Sequence, residues 1–388
     1  MALASASRHD WTYVLESTPG TTPTTPTMTV ARFLQANFGM SRAELLSDEK
    51  RSDRQRGFAR LGFKQTQGSF PATLAPRAHD DFIEAAMMGT YASVTVGTTG
   101  NLTIDNTAKT LTRASGSWIT DGVRKGSLLT TSSFSNSENN RIGIPVLAVN
   151  SATELLIGDE GTDFVDETSA ATVVYPGTRL NTGTTLRHFT MQRRWNDVGK
   201  FQPHVGTVMN GMEISYAPGE LVRLNFPAIG YNAGAISGTD LDSTPVAAAT
   251  DDPFAPFDGF MYKNGVKIAT LTAATINLAN NHELVEVCFA DVTPEIVQGD
   301  ADITGSFTFI FESETIYNTF LNETDVDVLI KSSTKDGSEF MGIALNKLRM
   351  LTGDLNPPVS GPFPVSMNFR SLLDADSQTL TIQRGYTP

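Results

Sequence analysis

The sequence predicts a mainly β fold: a β-sandwich or barrel body with two short helices, plus a small inserted all-β domain. Three observations predict it. Short β-compatible runs recur along the chain, with Gly, Asn, Asp or Pro between them. Two stretches, at 80–89 and 316–321, carry an apolar stripe at helical period. Between 91 and 180 the composition shifts to Thr, Ser, Gly and Asn.

Residues 1–30 are rich in Thr and Pro and read as an extended N-terminal arm, floppy or laid against a neighbouring surface. Residues 31–40 give a short strand-like run. The next stretch, 41–62, is dense in both signs of charge: Arg42, Glu44, Asp48, Glu49, Lys50, Arg51, Asp53, Arg54 and Arg56. It reads as a solvated helix with internal ion pairs or as a long exposed loop that docks on a partner. Exposed pairs contribute only about 0–1 kcal/mol each, so the run does little for the fold itself. Repeated around a symmetric ring, the same charges would set register between subunits.

A strand and then a helix follow from 62 to 89. Gly68 and Pro71 interrupt the strand and predict an edge or bulged one. Asp80 or Asp81 caps the helix, Phe82, Ile83, Ala86 and Met87 form its stripe, and Gly89 ends it. The same grammar returns at 301–325. Gly305-Ser306-Phe307 echoes Gly68-Ser69-Phe70, and Ile316, Tyr317, Phe320 and Leu321 form the second stripe. Either the halves are pseudo-duplicated or a short motif has recurred by chance.

Within 91–180, β runs at 110–112, 127–131, 142–149, 154–157 and 171–174 predict a small barrel or sandwich, inserted into the body. The body comprises 31–90 and 181–388. Its later strands fall at 209–216, 220–226, 260–266, 267–271, 284–289, 326–331, 339–345, 365–370 and 379–383, with a hairpin turn about Asn264-Gly265. The Pro-rich stretch 355–364 reads as a loop or an edge cover.

The 388 residues carry 29 basic and 42 acidic side chains, a net charge of −13. That argues against a nucleic-acid binder, which would show a basic face. No apolar run approaches the roughly 20 residues that span a bilayer. The N-terminus lacks a secretory pattern, so assembly is expected in a cytoplasm. The single Cys288 sits in a strand-like run and reads as a buried thiol. His9, His79, His188, His204 and His282 show no metal-ligand spacing, and no nucleophile elbow or phosphate loop occurs. The pairs Asp80-Asp81 and Asp251-Asp252 suit helix starts and loops. Neither catalysis nor a cofactor nor a metal is expected.

Several motifs, in order, resemble a known family: E-x-T-P-G-T-x-P at 16–23, the charged S-D-R-Q at 52–55, the G-S-F strand with the D-D-F-I-E-A-A-M-x-G helix at 80–89, I-V-x-G-x-x-x-I-T-G-S-F-T at 296–308, and Y-x-x-F at 317–320. The chain is similar here to the major tail tube protein of long-tailed bacteriophages. The resemblance covers roughly 10–90 and 185–388. G-S-W-x-x-D-G-V-x-x-G at 116–126 resembles a small β module found as an insertion in phage tail proteins.

The resemblance implies a tail-tube-type β-sandwich or barrel whose copies form hexameric rings, stacked into a tube that carries DNA. It places an inter-ring stacking loop at 41–62, with Arg42, Glu44, Asp48, Lys50, Arg51, Asp53, Arg54 and Arg56 as its charged residues. The arm would cross onto a neighbouring subunit or ring. Implied partners are further copies of the chain, the tape measure, tail terminator and distal tail proteins, and DNA in transit, with no membrane. Two other readings stand beside it: another β-rich virion protein, such as a capsid decoration or baseplate subunit, and a carbohydrate-binding module in the insert, where Trp118 would stack on sugar.

Overall fold

In the computed structural model, which describes residues 3–312, 315–354 and 361–386, the chain is mainly β. The first half contributes β1 (His9–Leu15), β2 (Thr29–Ala31), β3 (Asn37–Leu46), β4 (Ala59–Thr73) and helix α1 (Asp80–Met87). Then come β5 (Leu102–Asp105), β6 (Thr110–Arg113), β7 (Leu128–Ser132), β8 (Ile144–Val149), β9 (Glu154–Ile157), β10 (Glu167–Ser169) and β11 (Thr172–Val174). The chain continues through β12 (Thr178–Asn181), β13 (Phe189–Trp195), β14 (Lys200–Met209), β15 (Gly211–Tyr216) and β16 (Arg223–Gly230). It ends with β17 (Phe260–Lys263), β18 (Val266–Ile268), β19 (Leu271–Ala279), β20 (Asp302–Ile310), α2 (Thr315–Leu321), β21 (Val326–Ser333), β22 (Phe340–Asp354), β23 (Pro364–Ser371) and β24 (Thr381–Arg384). Neither helix is long and apolar enough to cross a membrane.

The main sheet runs β3–β4–β16–β15–β19–β20–β23–β22, antiparallel throughout. Period-two alternation gives it two unlike faces. One cross-strand row reads Ala72, Leu224, Ile214, Ile276, Gly305, Phe369 and Met350. This is the core face. Gly305 is small because a Cβ there would collide with the Thr275 carbonyl oxygen and the Phe369 ring. That ring lies instead over Phe307, with centroids 4.5 Å apart. β22 is long enough to leave this sheet and continue into a second layer. Its first half pairs with β21 on one side and β24 on the other, and β21 pairs with β17.

α1 packs on the core face. Phe82, Ile83 and Met87 are buried; neither Asp80 nor Asp81 caps the helix, since His79 holds the cap position, and both fall in the first turn, where carboxylates favour the helix dipole. Asp80 also holds the C-terminal strand through Arg384 at 2.5 Å and Tyr386 at 2.8 Å. The left-handed residue that ends α1 is Met88; Gly89 is needed because a Cβ would meet the Asn181 carbonyl. α2 forms where the second stripe lies, and Phe320 packs against the core. The side chains of Ile316 and Tyr317 fall outside the described residues, as do 355–360 of the Pro-rich stretch.

Several expectations need correction. His9–Leu15 is not a free arm: it pairs with β13 along its length and with β2, burying Trp11 and Thr12. Of the two alternatives for β4, it is the bulged one and not an edge strand: β3 and β16 flank it, and Gly62 and Phe63 together oppose the single Ala43 of β3. Pro71 fits because its nitrogen points past the end of β3, toward the side where its carbonyl accepts from the Leu34 amide at 2.7 Å. The strand expected at 284–289 is only Glu283–Leu284, and the rest is an exposed loop. Cys288 is therefore exposed rather than buried.

Strands β5–β11 make a separate seven-stranded sheet with its own core around Trp118, Leu129, Val146 and Phe164. The chain leaves the body through Ala92–Ser93 and returns through β12, which pair with each other. β12 itself also pairs with β24 of the body. Leu128 and Leu147 pack on Tyr262, Leu329 and Phe340, and the Gln383 amide exchanges two 2.8 Å hydrogen bonds with the Leu128 backbone.

Candidate assembly surface

The charged stretch is no helix: residues 47–58, its greater part, are a long exposed loop, and strands carry it. β3 and β4 extend beyond the sheet as a two-stranded ribbon, closed by a turn at 47–58. From Thr66, where β16 ends, to Ala59 the ribbon projects roughly 20 Å at the usual strand rise. A ribbon of two strands is marginal in water without a partner.

The sequence-predicted residues take different places on it. Arg42 clamps the base: Nε and Nη2 donate to the Gly62 carbonyl at 2.9 and 2.8 Å, at the bulge where Gly62 and Phe63 oppose Ala43. Glu44 faces Leu61 across the strands. Asp48, Lys50, Arg54 and Arg56 sit exposed in the turn. Arg51 chelates Asp53 at 2.8 Å, and Asp53 also accepts from the Gln55 amide at 3.2 Å. Those contacts lower the Asp53 pKa below the usual carboxylate value, the Arg51 hydrogen bond first. The pair is open to water, so it shapes the turn without stabilising the fold.

Charge alone hid the other half of the ribbon's chemistry. Leu45, Leu46, Phe58 and Leu61 are all exposed, Phe58 at 63 %. By register and alternation Leu45 and Phe58 share one face, and Leu46 and Leu61 the other. The signal available in sequence was the apolar residue recurring on either side of the charged tip. At the base, Lys64 pairs with Asp291 at 2.7 Å and Gln65 donates to Glu286 at 2.8 Å, so the 286–291 loop braces the ribbon.

The second surface is the uncovered face of the main sheet. One row reads Thr73, Arg223, Ser215, Thr275, Ser306, Asn368 and Thr352; the next reads Pro71, Asn225, Glu213, Asn277, Thr304, Arg370 and Arg349. None is buried. The three arginines are matched by carboxylates: Arg223 with Glu220 at 2.9 Å, Arg370 with Asp302 at 3.0 Å, and Arg349 with Asp325 at 2.6 Å. Among the described residues, the face therefore offers short hydroxyls, amides and the Glu213 carboxylate, and no unmatched cation. Among the described residues, β3 has no strand on its outer edge, and β22 past Leu348 has none opposite β23.

A family model described as phage tail tube protein matches residues 11–383. The chain belongs to the phage tail tube protein family. It is thus a structural protein of the phage tail, and membership implies self-assembly into a tube. No curated protein matches the chain. Trp118 is fully buried with the Arg113 guanidinium 4.5 Å over its ring, which removes the residue a sugar site in the insert would have used. Among the described residues, no three metal-ligating side chains gather into a possible metal site.

Proposed function

We propose that six copies form a ring in which β3 of one subunit pairs with the free stretch of β22 on the next. Closing the ring removes both open edges at once. The polar rows from Thr73 to Thr352 and from Pro71 to Arg349 then face a central channel for DNA. Matched arginines and neutral hydroxyls give phosphates nothing to hold, and the −13 net charge repels them. The observation that carries this reading is one sheet with an apolar face, a polar uncovered face and, among the described residues, an unpaired edge at each end.

Rings stack head to tail through the β3–β4 ribbon, with Arg42, Glu44, Asp48, Lys50, Arg51, Asp53, Arg54 and Arg56 setting register and Leu45, Leu46, Phe58 and Leu61 supplying buried area. A contact that does not close along the axis yields a filament, as a tube requires. Residues 91–180 act as an inserted domain on the outer wall, which favours a sheathless tail. Assembly takes place in the host cytoplasm, with tape measure, terminator and distal tail proteins as further partners. Negative-stain microscopy of the purified protein, with a nucleating partner if needed, tests this: rings or tubes support it, and monodisperse single particles under every condition reject it.

A further inference from the structure

Phe289 is fully exposed, and its backbone is left-handed at φ 69°. A bulky residue rarely holds that conformation at a free surface. Here the flanks hold it. Glu286 is tied to Gln65, Asp291 to Lys64, and the Thr293 hydroxyl donates to the Val285 and Glu295 carbonyls at 2.8 and 2.9 Å. The tip 287–290 is thus presented by a braced loop, as a docking anchor is.

The loop connects Ala279 to Asp302 at the end of the sheet from which the ribbon leaves. At the other end of β15 and β19 the two layers part into an apolar groove of about 450 Å³. Tyr216, Pro256, Phe257, Met261, Ile268 and Leu271 line it, and Phe257 stands 83 % exposed at its rim. Among the described residues, the charged groups in its lining are Lys331, buried against Glu160, and Lys267, exposed and the cation the groove presents. The loop carries Glu283, Glu286, Asp291, Glu295 and Asp300 and neither lysine nor arginine; its one histidine, His282, is buried.

The geometry points to a knob and a hole at opposite ends of one subunit: Phe289 of one copy enters the groove at the Tyr216 end of the next, its acidic flanks toward Lys267. The contact rests on the head-to-tail stacking proposed above and gives it a second, axial anchor beside the ribbon.

Cys288 is the chain's one cysteine and is exposed, so it serves as a probe. Ala269→Cys, at an exposed position in the groove lining, adds a second. Tubes of the full-length variant, mildly oxidised and run on a non-reducing gel, are expected to give a ladder of covalent oligomers beyond the dimer. Tubes that yield monomers only, or dimers in both variant and parent, overturn the knob and leave stacking intact. Absence of any tube from the parent protein overturns both. Phe289→Ala should raise the concentration needed for tube growth about tenfold or more while leaving the melting temperature of the monomer unchanged. Unchanged growth would reject the contact.

Discussion

Lys331 of β21 places its ammonium 3.1 Å from the Glu160 carboxylate and 2.8 Å from the Ile142 carbonyl, fastening the seven-stranded unit to the body. The Lys331 side chain is only 5 % exposed, and burial pushes its pKa down and that of Glu160 up. Removing one partner leaves the other charge desolvated. Lys331→Ala is expected to cost about 3 kcal/mol. It should also open the connections near 93 and 177 to limited proteolysis. Unchanged melting and cleavage would show that the pair fastens nothing.

Gly305→Ala should destabilise by about 3 kcal/mol, because the added methyl meets a carbonyl and a packed ring that cannot both yield. Gly39→Ala is the control: nothing lies within 4 Å of a Cβ there. Its effect should stay within about 0.5 kcal/mol. Denaturant unfolding of both variants checks the contrast.

Acid should weaken the fold through its histidines. Burial pushes His79 and His204 down to about 4. Between that value and about 6.5 the unfolded chain binds more protons, so stability is full above the window and falls as pH falls through it. The loss is at most roughly 3 kcal/mol for each ring. Among the described residues neither ring nitrogen of His204 has a hydrogen-bond partner, and the rings of Trp11 and Phe38 lie beside it. His204→Phe should therefore fold and show a shallower decline in melting temperature from pH 7 to 5. An equal slope would remove His204 from the account.

Leu45→Ser with Phe58→Ser should leave monomer stability within about 0.5 kcal/mol, since both side chains are exposed. Tube growth should fail. Reversing charge at Arg51, Arg54 and Arg56 should impair growth in the same way with folding intact. Normal polymerisation of either variant would relieve the ribbon of its stacking role.

Much of this fold was legible in the sequence. The helical stripe of Phe82, Ile83 and Met87 lies where its period put it, because a short helix on a core needs one apolar face and little else. The β runs of residues 91–180 were read because turn residues punctuate them. The ribbon is not legible in the sequence because a bulge at Gly62 and Phe63 breaks the alternation of β4 and its apolar residues point to both faces, which no buried strand pattern imitates. The apolar run 284–289 imitated a strand, but its outward Phe289 and Cys288 answer to tertiary bracing, which local pattern does not encode. β1 was hidden by its Thr/Pro neighbours and by burial on both sides at Trp11 and Thr12. Edges and uncovered faces, the features that bear on assembly, arise only once strands find distant partners.

A cryo-electron microscopy reconstruction of the assembled tube tests the central claim most directly. The account predicts rings of six, β3 hydrogen-bonded to β22 of the next subunit, and Ser215, Thr275 and Ser306 on the channel wall. A tube whose channel is lined by another surface, or rings in which β3 stays unpaired, would contradict it.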